Sequence, residues 1–331
     1  MRVQRKIKNG FSSMNRKPSL TSRSGHLNQA ITTNARQRLP RQRLRSGVDL
    51  MNTKYFVTRQ EQNMTRSPEA PMLNCDWVPM PALAITSTAD AVLPLRVRYR
   101  QEMNGQIVHD SIHRRDGWTE TYLLDIDGVT AGFGSIARAG PWKDKPTIFE
   151  FYVLPEHRAH GFKLFEALLT ASNARFMEIQ SSDAMLAVML HTYARDIWSE
   201  KIVFRDAITT AFPANGATVK QLTSDQEIWN AIAQRQGGAE YQLVLDGSTV
   251  ATGGLLFHYK VPYGDIYMKT LEPVRNRGFG SYLVQELKRS AYALGSIPCA
   301  RSDPANLASR ATLQKAGLVP FAHILNGSIP Q

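Results

Sequence analysis

The chain resembles itself at an offset of about 119 residues, and that one feature restricts it to an arrangement of two like units. Tyr122-Leu-Leu-Asp-Ile-Asp-Gly128 lines up with Tyr241-Gln-Leu-Val-Leu-Asp-Gly247, each an apolar strand run closed by an Asp-Gly turn signal. A second strand follows in both copies. Then Phe149 to Leu154 and Asp265 to Leu271 lead through Pro155 and Pro273 into matching turns, Arg158-Ala-His-Gly161-Phe-Lys163 and Arg275-Asn-Arg-Gly278-Phe-Gly280, each of which opens a helix. Ser182-Asp183 and Ser302-Asp303 match again after a short apolar strand. Each copy reads strand-turn-strand-strand-helix-strand-helix-strand. Solenoid repeats run about 20 to 50 residues, so a period this long predicts two duplicated α/β domains.

Local signals sharpen the second copy. Leu283, Leu287, Ala291 and Leu294 form one apolar stripe of a helix that Gly295 is placed to stop. Asp303 is expected to cap the next helix with Pro304 at its first position, and that helix is expected to end at Gly317 before Leu318-Val-Pro-Phe321. The predicted organisation is a leader over residues 1–75, a first domain over 80–208 and a second over 210–331.

The leader explains a charge that would otherwise mislead. The formal charge is +12, but residues 1–50 hold twelve basic residues against the single acid Asp49. The body is close to neutral. A tail rich in Arg, Ser, Asn and Gln with few aromatics does not bury a core, so it is expected to be disordered. Its basicity fits a transit peptide, a start upstream of the natural Met51, Met64 or Met72, or nucleic-acid binding through the tail alone. No apolar run reaches the length of about 18 that a membrane span needs. Two cysteines, Cys75 and Cys299, make no disulfide framework, which fits a reducing, cytoplasmic setting. No paired His, Cys or carboxylate spacing suggests a metal.

A strand that runs into Arg275-x-x-Gly278-x-Gly280 and then a helix has a specific physical use. Glycines let a ligand approach the backbone, and the open amides of a first helical turn attract a pyrophosphate. Arg275 and Arg277 add positive charge. In this context residues 241–325 resemble the GNAT superfamily of acetyltransferases: Arg275, Gly278 and Gly280 match its acyl-CoA motif, and Asn306, Lys315, Gly317 and Leu318 approximate its later Asn-led helix motif. The first copy matches in outline.

The resemblance implies two tandem mixed sheets flanked by helices, each splayed between its fourth and fifth strands, with acetyl-CoA as co-substrate in the gap. It implies that Arg277, Gly278, Phe279, Gly280 and Ser281 give amides to the pyrophosphate. Asn306 belongs to the same cofactor site. The backbone around Thr270 and Leu271 would hold the pantetheine and polarise the thioester. An amine attacking that thioester must lose a proton, so a base is needed. Glu272, Asp265 and Tyr267 are the candidates on or beside the fourth strand, with His258 across the hairpin. The family often supplies a Tyr acid seven residues after the Asn, where this chain has Leu313; water, Ser302 or Ser309 would replace it.

The first copy departs further. Lys163 stands where the motif needs its last small residue, and an apolar stretch from Ala184 to Leu190 replaces the Asn-led helix start. It is expected to be a degenerate domain that packs on the second and shapes its acceptor cleft. Met185, Met189 and Cys299 are expected in the core, and Trp118, Trp142, Trp198 and Trp229 in core or interface. The resulting expectation is an N-acetyltransferase acting on a small-molecule amine more than on protein lysines. The alternative is a non-catalytic acyl-CoA-binding sensor or scaffold.

Overall fold

The computed structural model of the chain describes residues 81–330. The expected leader, and the transit-peptide, alternative-start and nucleic-acid readings attached to it, lie outside the described residues, as does Cys75.

Both copies of the repeat are present as α/β units. The first runs β1 (Ala82–Ser87), α1 (Leu93–Met103), β2 (Thr119–Ile126), β3 (Val129–Ala137), β4 (Thr147–Val153), α2 (Gly161–Ser172), β5 (Phe176–Gln180), α3 (Ala184–Tyr193) and β6 (Arg195–Asp206). The second runs β7 (Thr218–Gln221), α4 (Asp225–Gln234), β8 (Gly238–Leu245), β9 (Ser248–Leu256), β10 (Tyr263–Thr270), α5 (Phe279–Ala293), β11 (Ile297–Ser302), α6 (Leu307–Lys315) and β12 (Leu318–Ser328). Short 3-10 turns span Asp110–Arg114, Pro155–His160 and Glu272–Val274. No helix among the described residues is long and apolar enough to cross a membrane.

Each unit opens with a strand and helix that lie outside the repeated pattern. In α1, Leu95-Arg-Val-Arg-Tyr-Arg100 alternates with a period of two, which is a strand signal. Pro94 in the first turn and the burial of Arg96 and Tyr99, three residues apart, decide for a helix instead. Arg96 is tolerated inside because Asp110 and Glu150 lie 3.0 and 3.3 Å from its guanidinium. Burial would raise the Glu150 pKa, but Arg96 and His113 bring it down to about 2. For α4 the signal is plainer, since Ser224 and Glu227 form a reciprocal capping box.

The strands make one twelve-stranded mixed sheet in the order β1-β2-β3-β4-β5-β12-β6-β11-β10-β9-β8-β7. Only β4 with β5 and β10 with β11 are parallel, and both pairs part early. The last pairings are Ile148 with Met177 and Ile266 with Ala300, so each sheet half opens between its fourth and fifth strands. The centre is exchanged: β12 pairs with β5 of the first unit, and β6 pairs with β11 of the second. The exchanged strands pair antiparallel with each other.

Two main cores result. Phe151, Leu164, Phe165, Met177 and Leu186 pack the first, and Leu255, Phe257, Leu283, Leu287 and Leu313 the second. The Leu283 stripe faces that second core, and Gly295 at φ 70° follows the end of α5. Cys299 is fully buried and burial pushes its thiol pKa up. Met189 is buried and Met185 packs beside it. Two expectations need correction. Asn306, not Asp303, caps α6 by accepting from Ser309 N at 2.9 Å. Asp303 instead accepts from Ala305 N at 2.8 Å, which closes a tight turn around Pro304. Trp198 and Trp229 are exposed, whereas Trp142 is buried and Trp118 packs beside it.

Candidate active site

The turn ahead of α5 is open. Gly278 takes φ 87°, a left-handed conformation that glycine adopts without strain, and no heavy atom would meet a Cβ built on it. No side chain caps the helix. The amides of Phe279, Gly280 and Ser281 therefore have no acceptor within α5, whose first bond runs from Tyr282 N to Gly278 O at 3.0 Å. Arg275 braces the turn by donating from Nε to Thr270 O. The first unit repeats this brace, Arg158 Nε to Val153 O, which identifies the two turns as counterparts.

A cavity of about 610 Å³ lies before the turn, walled by Met268, Thr270, Arg275, Gly278, Gly280 and Ser281 on one side and by Asn306, Ser309, Thr312 and Lys315 of α6 on the other. A neighbouring cavity of about 330 Å³ shares Asn276, Gly278, Phe279 and Lys315 and adds Phe212 and Arg277, whose guanidinium lies 5.2 Å from the Phe279 ring centre. Most of the expected cofactor residues are thus brought together. Leu271 is not: it is 41% exposed and its amide donates to Val250 O on β9 at 3.0 Å. By the alternation of an antiparallel ladder, the peptide groups of Met268 and Thr270 face the other way, into the gap. Met268 was therefore missed for want of strand parity, which the sequence does not fix.

The expected base candidates scatter. Glu272 is at the mouth, its side chain 84% exposed, within 3.5 Å of Arg275. Tyr267 is 41% exposed and its ring lies over Gly254. Asp265 is buried where β10 and β11 part, with Oδ2 at 2.8 Å from Arg301 Nη2 and 3.3 Å from His258 Nε2. Burial would raise the Asp265 pKa, but Arg301 and His258 hold it below the ordinary carboxylate range. Leu313 is buried in the second core, so that position offers packing and no acid.

On the sheet face opposite α5, His258 and Arg301 line a cavity of about 500 Å³ whose other wall belongs to the first unit. There His109 Nε2 lies 2.7 Å from Glu178 Oε1, and the Trp142 indole donates to Glu178 Oε2 at 2.8 Å. Burial would raise the Glu178 pKa, but His109 and Trp142 more than reverse it. These first-unit residues carry no sequence signal for a site, because only the tertiary fold brings them to β11.

The corresponding turn of the first unit differs. Gly161 is helical at φ −52°, and a Cβ there would make ordinary contact, at 3.5 Å, with both Met185 Sδ and Met189 Cε. A small cavity of about 10 Å³ lies amid Tyr99, Met103, Phe149, Asp183 and Leu186.

A solved GNAT-family acetyltransferase from Colwellia psychrerythraea superposes on this chain with a TM-score of 0.55, at 13% identity, over 75% of this chain and 99% of that one. The fold is that of the GNAT acetyltransferases. Two further GNAT structures are similar at lower scores. One is from Sphaerobacter thermophilus, with TM-score 0.48 and 15% identity, covering 76% of this chain and 96% of that one. The other is a tandem GNAT protein from the clavulanic acid biosynthesis pathway, with TM-score 0.46 and 12% identity, covering 76% and 99%. No family model and no curated protein matches the sequence. Within the GNAT fold, the left-handed Gly278 and the helical Gly161 distinguish the two turns.

Proposed function

We propose that the protein is an acetyl-CoA-dependent N-acetyltransferase with one working site, in the second unit. The observation that carries this reading is the uncapped turn from Gly278 to Ser281 facing a 610 Å³ cavity. Its residues fit the diphosphate end of coenzyme A: open amides, the positive end of the α5 dipole, and Arg275, Lys269 and Lys315 nearby. Arg277 and Phe212 suit the adenosine end in the adjoining cavity. Asn306 acts indirectly, by capping the α6 wall.

The acceptor amine enters the 500 Å³ cavity on the opposite face, so the first unit contributes half of the acceptor site. In the transfer, the amine nitrogen bonds to the acetyl carbon and the carbon–sulfur bond breaks. The peptide N–H groups of Met268 and Thr270 stabilise the charge that develops on the carbonyl oxygen. His258 accepts the amine proton and Asp265 orients its ring through the Nε2 contact. Arg301 Nη2 also lies 3.2 Å from His258 Nε2, so the ring is held between Asp265 and Arg301. Ser309 on the cavity wall, or water, protonates the departing thiolate. The indoles of Trp118 and Trp142 and the carboxylates of Glu178 and Glu200 suit a small ammonium-bearing acceptor better than a peptide chain.

Thermal unfolding with added acetyl-CoA tests the reading, because a ligand selective for the native state raises stability by RT ln(1 + [L]/Kd). A clear rise in Tm is expected, together with acetyl transfer to small amines. The absence of any shift at millimolar ligand defeats the assignment. The burial of Leu313 favours a second reading, a non-catalytic acyl-CoA sensor. Binding without transfer to any amine in a broad panel selects that one.

A further inference from the structure

Two cations are buried in the second unit without a carboxylate. Arg235, 4% exposed, directs its guanidinium at the carbonyls of Tyr259 and Tyr263, the latter at 2.9 Å. Lys260, 8% exposed, donates to the carbonyl of Arg100 and has two further N–H groups. No acid lies within ion-pair reach of either among the described residues. Burial lowers the pKa of both, and the nearby Asp110 offsets only part of that.

Beside them opens a cavity of about 540 Å³ between α1 and the loop before β10. Arg100, Arg114 and Lys260 supply its charge, and Gln101 and Asn104 supply neutral donors. Asp110 is the acid among its described lining residues, and it is already engaged by Arg96 at 3.0 Å and Arg100 at 2.7 Å. Arg114 makes no ion pair among the described residues. Within the lining, the positive charges of the exposed Arg114 and the buried Lys260 are therefore left over, and a buried unpaired cation is costly unless something anionic meets it.

We propose that this cavity, lined by Arg100, Arg114 and Lys260, binds a small dianionic oxyanion, a phosphate monoester or a dicarboxylate. Two negative charges answer the surplus, and the volume admits such a group with a small organic body. The site is separate from the turn at Gly278 and does not depend on acetyl transfer.

The test is thermal unfolding of the full chain with inorganic phosphate or malonate against sodium chloride at equal ionic strength. Either oxyanion is expected to raise Tm where chloride does not, and the stronger of the two names the source of the charge. Arg114→Gln, at an exposed position, and Lys260→Met are each expected to weaken the apparent Kd about tenfold. Gly280→Lys, which fills the other anion-attracting turn, is expected to leave the effect intact. The proposal fails if neither oxyanion outperforms chloride, if Gly280→Lys removes the effect, or if Arg114→Gln binds like the wild type. Arg114→Gln carries the test alone should Lys260→Met fail to fold.

Discussion

Thr270 stands directly over Gly280: a Cβ built on the glycine would lie 3.0 Å from the threonine Oγ1 and 3.2 Å from Thr312 Cγ2. A methyl group fits only if a neighbour yields, and a longer side chain must enter the cavity. Gly280→Ala is therefore expected to leave stability within about 1 kcal/mol, since alanine suits a helix, while weakening acetyl-CoA about tenfold. Gly280→Lys is expected to abolish binding with the fold intact. Calorimetric titration checks both, and normal affinity in Gly280→Lys places the ligand elsewhere.

A second prediction concerns the first unit alone. Asp183 caps α3 by accepting from Leu186 N at 3.0 Å, but its Oδ2 is buried without a hydrogen bond. Burial, with some help from Glu150, raises its pKa to about 6. Between pH 4 and 6 the native state then holds a proton that the unfolded state has released, so stability falls as pH rises through that window. Asn caps a helix equally well without charge. Asp183→Asn is expected to match the wild type near pH 4 and to exceed it by roughly 2–3 kcal/mol at pH 7. Urea unfolding at the two pH values checks this, and parallel pH profiles refute it.

These two sites differ in how visible they are before folding. The turn at Gly278 is legible because a short contiguous stretch, Arg275 to Gly280, carries both the conformation and the chemistry. The turn at Gly161 is only half legible. Lys163 marks the departure, yet the side chains that pack beside Gly161 are Met185 and Met189, which read as ordinary core residues. The wall of the 500 Å³ cavity is not legible at all, since His109, Trp142 and Glu178 meet His258 and Arg301 only in the folded chain. The α1 pattern misleads outright, because its period of two reflects a buried Arg96 rather than a strand face. Strand exchange is equally silent, as nothing in the residues of β6 or β12 says which neighbour each will pair with.

The His258, Asp265 and Arg301 cluster yields two separable effects. His258→Gln is expected to lower kcat by about 10² to 10⁴ with little change in the acetyl-CoA KM, and added imidazole is expected to restore part of it. A packing role predicts no rescue. Asp265→Asn leaves Arg301 without its partner and is expected to cost roughly 2 kcal/mol at neutral pH. The native Asp265 pKa is depressed, so its contribution is present above the unfolded value of about 3.9 and is lost as pH falls. The gap between Asp265→Asn and wild type is therefore expected to close below pH 4. A gap that stays constant through acid removes the ion pair from the account.

The exchanged strands make the last prediction. β12 lies between β5 and β6, with Leu325 opposite Ile179 and Ile324 opposite Lys201, so the first unit's sheet is completed by the final residues of the chain. The second unit in turn needs β6, whose Val203 and Phe204 pair with Arg301 and Ala300. Neither half of the repeat closes its own sheet. Residues 81–208 expressed alone lose the β12 ladder and leave the edges of β5 and β6 unpaired, a template for aggregation. Residues 210–330 alone lose Ile202 and Phe204 from their core, two side chains worth about 1.5–3 kcal/mol each. Both fragments are expected to be insoluble or unfolded by circular dichroism when made separately, and to recover native signal and acetyl-CoA binding when coexpressed. A fragment 210–330 that folds and binds acetyl-CoA unaided shows that the exchange is dispensable, and that the second unit stands as a domain without its borrowed strand.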